Sequence, residues 1–350
     1  AAAAAVYSLD RGDNDSSEGR TVTDMLGRNV NIPGDVDSIV CLSAGSVRLA
    51  CYMGVADKIV GIDRMDAMAS GSSANYDKAT YRIAYDIRSI TNVGSEDNFR
   101  DIISTGADLI VTSMTDVSQV ETLQQNTGIP TIAVSAAGNI DVDDEEFDKN
   151  LLLMGEALGA EGRATELIGG KNALLGELEA LRSESGAEAR CYIGGMFYMM
   201  TGDLFMTTGN YASFEYTPAT NVMPDTNNGN PYTTTARELA ASGAEYIFID
   251  SMTFTASKAL FEENRPVLAD LEAVSDGNVY STFVFKYYGT NWEAELINAY
   301  YIGSVLDPEV YDFDFREKVN LILNLFFPGS DLDYDALMEG QSPGCVKLDW

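Results

Sequence analysis

Residues 100–111 read RDIISTGADLIV, and residues 237–248 read RELAASGAEYIF. The two stretches align without a gap at a spacing of 137 residues, matching Arg100 with Arg237, Asp101 with Glu238, Gly106 with Gly243, Ala107 with Ala244 and Asp108 with Glu245. Just beyond them, Ser113-Met114-Thr115 is echoed by Ser251-Met252-Thr253. Each copy has the pattern of a short helix, a tight glycine turn and a buried strand. The period is far longer than that of a solenoid, whose repeats run to tens of residues. One copy in each half predicts two similar α/β lobes with a space between them.

The segment between the copies supports this division. From about 147 to 184 the pattern is almost continuously helical, with Leu151, Leu152, Met154, Leu158, Leu167, Ile168, Leu174, Leu175, Leu178 and Leu181 near helical spacing. The glycines predict one helix to about 159 and a longer one over 161–184. The second would span about 30 Å, which suits a rigid strut better than a hinge. Upstream, residues 21–33 read as a hairpin around Leu26-Gly27-Arg28, and SIVCL (38–42) as a buried strand. Ser43-Ala44-Gly45-Ser46 then opens a helix, placing backbone N–H groups and two hydroxyls where a polar ligand group could sit, or where Ser43 simply caps the helix. A second strand, KIVGI (58–62), ends at Asp63-Arg64-Met65. A helix over 116–127 and a strand over 130–134 complete the first half. The acidic run DVDDEE (141–146) lacks the glycine of a calcium loop and fits the positive end of a helix. In the second half, ARCYIGG (189–195) is a strand, and a hairpin is expected around Gly202-Asp203. NYASFEY (210–216) begins a helix, PDTNNGNPYT (224–233) is a loop and NVYSTFVF (278–285) a strand. KYYGTNW (286–292) leads into a helix over 293–305, and two more helices occupy 312–338.

Composition restricts the chemistry. The chain has 54 acidic and 22 basic residues, a net charge of −32, which repels nucleic acid and opposes capture of anions except where local Arg or Lys prevails. It has no histidine, which removes the usual general base and the commonest metal ligand, and with them Ser-His-Asp, Cys-His and HExxH chemistry. The four cysteines, at 41, 51, 191 and 345, form no CxxC pair, and buried free thiols are the default for such positions. No run of about 18 apolar residues offers a membrane-spanning helix. The first 20 residues are small, polar and charged and read as a disordered tether or a processed end.

TVTDMLGRNVNIPGDVDSIVCLSAGSVRLACYMGVADKIVGIDR (21–64) resembles the start of the ABC-transporter substrate-binding proteins for iron chelates, haem and vitamin B12. VGSEDNFRDIISTGADLIV, TGIPTIAV, MGEALGAEGRATELI and VSDGNVYSTF follow in the same family order, so the resemblance runs from about residue 21 to 307. It implies two Rossmann-like α/β lobes joined by a single long helix, with the ligand in the cleft between them. The expected division is a tether over 1–20, a first lobe over 21–146, connecting helices over 147–185 and a second lobe with a helical extension over 186–350. It implies an exported protein, periplasmic or lipid-anchored outside the cytoplasmic membrane, monomeric in solution. Its partners would be a permease with a cytoplasmic ATPase; it would catalyse nothing. In better-known members each lobe carries a surface Glu that pairs with permease Arg residues. Here those positions fall on Arg100 and Arg237, with Asp101 and Glu238 beside them, so a docking pair of changed sign is expected.

In such a fold the ligand lies at the carboxyl ends of the strands. On the first lobe this selects Ser43, Gly45, Ser46, Asp63, Arg64, Met65, Ser113 and Met114. On the second it selects Met196, Phe197, Tyr198, Ser251, Met252, Lys286, Tyr287, Tyr288 and Trp292. Tyr and Trp offer broad faces with a polar edge, and Met adapts to irregular surfaces. Arg64 and Lys286 suit a carboxylate or an anionic chelate. No intrinsic cofactor and no protein-held metal are expected. A ferric siderophore brings its own iron coordination and is ranked first, a corrinoid or haem second (haem through Tyr198, Tyr287 or Tyr288), an oxyanion third. Two readings from other classes are an enzyme on a two-lobe metallocluster fold, for which clustered Cys and His ligands are lacking, and a surface adhesion protein, whose cleft would bind nothing.

Overall fold

The computed structural model describes residues 19–68, 78–136 and 140–350. Of the tether expected over residues 1–20, residues 1–18 lie outside them, while Arg20 begins the first strand. A hairpin of β1 (Arg20–Thr23) and β2 (Asn29–Ile32) precedes a five-stranded parallel sheet of β3 (Ile39–Leu42), β4 (Ile59–Asp63), β5 (Thr91–Gly94), β6 (Leu109–Thr112) and β7 (Thr131–Ala133). Its spatial order is β5-β4-β3-β6-β7, so the chain reverses direction across the sheet between β3 and β6. The second sheet contains β8 (Ala189–Gly194), β10 (Ala219–Asn221), β12 (Tyr246–Asp250), β13 (Val279–Thr282) and β14 (Val346–Lys347), and β9 (Met206–Thr207) pairs with β11 (Tyr232–Thr233) beside it. Its order is β10-β8-β12-β13-β14, with β14 antiparallel. Both orders are doubly wound, but they are different ones; the halves share local units rather than a whole topology.

The repeated unit is the same in both. Helix Phe99–Ser104 turns at Gly106 (φ 69°) into β6, and helix Ala236–Ala241 turns at Gly243 (φ 68°) into β12. Thr105 and Ser242 each donate a hydroxyl to the carbonyl three residues back, Ile102 and Leu239, at 2.7 Å in both copies. The same hydroxyls accept from the N–H of Ala107 and Ala244 at 3.3 and 3.2 Å. Asp108 and Glu245 each use a carboxylate to grip the chain beside the central strand. Asp108 accepts from Asp37 N, Ser38 N and Ser38 Oγ, and Glu245 accepts from Arg190 N.

Alternate residues of β3 point to opposite faces, as a strand requires. Val40 and Leu42 join the cluster under helices Phe99–Ser104 and Val117–Thr127, while Ile39 and Cys41 join the larger core on the other side. That larger core also takes in helices Glu145–Leu158, Glu161–Glu184, Trp292–Leu306 and Phe315–Phe326. Helix Glu145–Leu158 begins with Glu145, Glu146 and Asp148 at its positive end, as the acidic run predicts. The 24-residue helix Glu161–Glu184 is about 36 Å long at 1.5 Å per residue. Along it Lys171, 1% exposed, pairs with Asp148 at 2.7 Å, and Arg163 donates to the carbonyls of Tyr52 and Leu325. Helix Phe315–Phe326, assigned from sequence to the second lobe, packs against the first: Phe326 and Phe327 set their ring centroids 5.0 and 5.3 Å from that of Tyr52. All four cysteines are buried and free. No helix among the described residues is long and apolar enough to cross a membrane.

Candidate functional site

The carboxyl ends of the two sheets meet, and the loop after β13 enters the first lobe. Arg48, buried on helix Ser46–Tyr52, donates to the carbonyls of Tyr287 and Tyr288 at 2.6 and 3.3 Å and to Asn291 Oδ1 at 3.1 Å. Gly289 (φ 101°) lies so near Arg48 and Ala136 that a Cβ would stand 2.8 Å from Arg48 Nη1. Gly45 is equally confined, since its Cβ would lie 2.8 Å from that of Ala136. The Tyr288 hydroxyl crosses between the lobes to Asp63 Oδ2 at 2.7 Å. Asp63 accepts three further bonds, from the N–H groups of Ser43, Met65 and Asp66. Ser43 in turn donates its hydroxyl to Glu96 at 2.6 Å. Burial, and then the Asp63 charge, hold the Tyr288 phenol in its protonated form by raising its pKa.

Two cavities flank this chain of bonds. One, of about 240 Å3, lies between the lobes and is lined by Met65 from the first and by Phe197, Tyr198, Met199, Met200, Asn230, Lys286, Tyr287, Tyr288 and Gly289 from the second. The other, of about 510 Å3, lies on the first lobe, where Ser95, Glu96, Asp97, Phe99 and Met114 face helix Val117–Thr127. Lys286 stands among buried acids. Burial lowers its pKa, while Glu295 and Asp141 pull it back. Burial also raises Glu295 well above the carboxylate range and Asp141 to about 6.

Backbone strain concentrates here. Among the described residues five non-glycines have positive φ, and four of them, Ser43 (66°), Met199 (47°), Met200 (68°) and Tyr288 (45°), sit in the loops that bound the cleft. Such conformations cost of order 1 kcal/mol or more each and gather at working sites. Met199 and Met200 are the centre of a two-residue turn closed by Tyr198 and Thr201 bonding N–H to carbonyl in both directions. Positive φ at both central positions normally calls for Asn-Gly. Two methionines hold it here, 80% and 53% exposed.

Of the residues selected from sequence, Met65, Phe197, Tyr198, Lys286, Tyr287 and Tyr288 line the interlobe cavity, and Met114 lines the neighbouring one. Ser43 and Asp63 form the bonded chain between them. Others are placed differently. Trp292 is buried: its ring stacks on Phe147 at 4.5 Å and its Nε1 donates to the Ile140 carbonyl, so it is core. Ser46, Ser113 and Ser251 are buried with their hydroxyls donated to the carbonyls of Leu42, Ala44 and Thr282, and Met196 and Met252 are buried. Tyr287 exposes 1% of its surface. Arg64 is exposed and lines neither cavity. Ser43 is no helix cap: Gly45 holds that position, and no side chain caps the helix. The expected hairpin turns at Met199-Met200, not at Gly202-Asp203. Gly202 is needed for a close approach, because a Cβ there would collide with the Met196 carbonyl. Glu96 and Asp97 were missed although they follow β5 at its carboxyl end, the rule that selected the others; Asn230, Met199 and Met200 had no such signal. Arg100 and Arg237 are exposed on the first turns of equivalent helices, with no ion pair among the described residues. Asp101 accepts from Asn98, and Glu238 is held by Thr234 and Thr235 in a capping box.

No family model matches the sequence, and no curated protein is similar to it in sequence. Solved structures are similar to it in fold. A periplasmic solute-binding protein from Veillonella parvula superposes with a TM-score of 0.72 at 16% identity, over 93% of this chain and 99% of that one. The fold is that of the solute-binding proteins of ABC transporters. The molybdate-bound protein MolA of Haemophilus influenzae gives a TM-score of 0.68 at 18% identity, over 90% of this chain and 99% of that one. CeuE of Helicobacter pylori, in complex with nickel and histidine, gives 0.64 at 17%, over 92% and 98%.

Proposed function

We propose that this protein captures a metal chelate between its lobes and delivers it to the permease of an ABC importer, without catalysing a reaction. The observation that supports this most is the interlobe cavity, walled by Met65, Phe197, Tyr198, Met199, Met200 and Tyr288 and bounded by strained backbone, on a fold shared with solute-binding proteins. Thioethers and aromatic faces suit a large, mostly apolar ligand with few polar contacts. A ferric siderophore fits best because the chain has no histidine and the site needs no protein-held iron. A corrinoid or haem is the second reading, favoured by the flat faces of Tyr198 and Tyr288, which remain in the cavity wall. The role implies export, with the protein periplasmic or lipid-anchored outside the cytoplasmic membrane.

Docking to the permease is assigned to Arg100 and Arg237, which the repeat places at matching points on the two lobes, facing acidic permease residues. Asp101 and Glu238, committed to their own helix starts, are less available. Reversing both arginines to Glu is expected to weaken transport and leave ligand affinity unchanged; unaltered transport would remove the docking role. The capture reading is tested by native mass spectrometry of the protein incubated with ferric siderophores, cobalamin, haem and molybdate. One retained adduct is expected, its mass naming the ligand class. A folded protein that retains none of them overturns the reading.

A further inference from the structure

We propose that the cleft selects a chelate with no net negative charge and a broad apolar face, and rejects polyanionic chelates. This deepens the capture reading and rests on it. The charges around the cleft decide it. Among the described residues lining the two cavities Lys286 is the one cation, against Glu96 and Asp97. The other cations nearby are turned to the protein. Arg48 serves the carbonyls of Tyr287 and Tyr288 and the Asn291 side chain, Arg82 the carbonyls of Asp66 and Met68, and Lys78 those of Ser251 and Ser342. Arg64 is exposed and lines neither cavity. The stretches 69–77 and 137–139 contain one Asp and no Lys or Arg, so their sequence can add no positive charge.

Acid stands behind the walls. Asp63 lies under the Tyr288 hydroxyl, and Asp66 follows it in the buried interior. Lys286 itself faces Glu295 and Asp141, and burial weakens its hold on its proton. A net charge of −32 adds a repulsive field at long range. The cleft therefore lacks what a polyanion needs, a cluster of free guanidinium groups to form charge-assisted bonds. It has what a neutral or cationic complex needs: thioether and aromatic walls, the carboxylates of Glu96 and Asp97 at one end, and the hydroxyl of Ser43 between the cavities.

The test compares three probes by quenching of the protein's own fluorescence: ferrioxamine B, a cationic ferric tris-hydroxamate; cyanocobalamin, a neutral corrinoid; and ferric enterobactin, a trianionic ferric tris-catecholate. At low ionic strength the cationic or the neutral probe is expected to bind at least about tenfold more tightly than the trianion, about 1.4 kcal/mol. The gap should narrow as salt screens the charges. Replacing Glu96 by Gln together with Asp97 by Asn, with folding checked by circular dichroism, should narrow it further by strengthening the trianion. Equal or tighter binding of the trianion overturns the charge rule and leaves chelate capture standing. A gap indifferent to both salt and the double substitution also overturns it. Binding of none of the three overturns chelate capture itself, and the charge rule falls with it.

Discussion

The two copies of the repeated unit agree from the helix to the strand and part company where the strand ends. Thr105 and Ser242 make the same pair of bonds, and Asp108 and Glu245 grip the same neighbouring strand position. Past β6, Met114 opens onto a cavity beside Glu96. At the end of β12 and just past it, Asp250, Ser251 and Met252 are sealed: Asp250 accepts from Met252 N and Phe285 N, and the Ser251 carbonyl receives Lys78. The copies thus keep the packing of the unit up to the end of the strand and diverge beyond it, where that packing no longer depends on the residue.

The largest test of this comparison uses pH. Each lobe holds a buried Asp that burial lifts to about 7, Asp66 beyond β4 and Asp250 at the end of β12. The unfolded chain ionises such groups near pH 4. Between about 4 and 7 the folded state therefore holds more protons, and stability falls as pH rises, by up to about 1.4 kcal/mol per unit for each group. Urea denaturation across that range should show the decline. Asp66→Asn and Asp250→Asn should each remove one group's share, and a profile unchanged by either would break the parallel. Next, Asp108→Ala loses three accepted bonds and Glu245→Ala one. The first is expected to cost about 1–2 kcal/mol and the second about half as much; equal losses would mean that the grips are not graded.

The glycine turns should also differ. Gly106→Ala meets nothing within 4 Å and costs about 1 kcal/mol for its left-handed backbone. Gly243→Ala would put its Cβ 2.6 Å from Nη2 of the exposed Arg190, which can swing aside at the loss of its bond to the Ser242 carbonyl, and should cost only slightly more by thermal melting. The smallest effect is expected at the cleft mouth: Met199→Ala should change stability by less than about 0.5 kcal/mol, while lowering ligand affinity in the fluorescence titration.

The repeat made the helix–turn–strand units legible because both halves of each copy are local, and the helical pattern between them located the long connecting helix. The strand orders were not legible. They depend on which strands pair across as many as 70 residues, and the two sheets resolve this differently. The same limit governs the site. Trp292 in KYYGTNW has the polar-aromatic surroundings of a ligand residue, yet its position is decided by Phe147, 145 residues earlier. Lys286 and Tyr288 in the same segment do line the cavity, in a loop whose backbone is left-handed at Tyr288 and Gly289. Gly202 read as a turn because its real task, clearance under the Met196 carbonyl, is a tertiary fact.

The left-handed residues at the cleft bear on how this protein would respond to selection. Asn-Gly in place of Met199-Met200 relieves the backbone at little cost to the rest of the fold, because both methionines are exposed. A laboratory campaign that rewards heat resistance alone would accept such changes early, and each would remove a side chain that bounds the cleft. Thermostable descendants of this chain should therefore be screened for binding at every round, because the easiest stabilising steps open to them lie at the cleft proposed to hold the ligand.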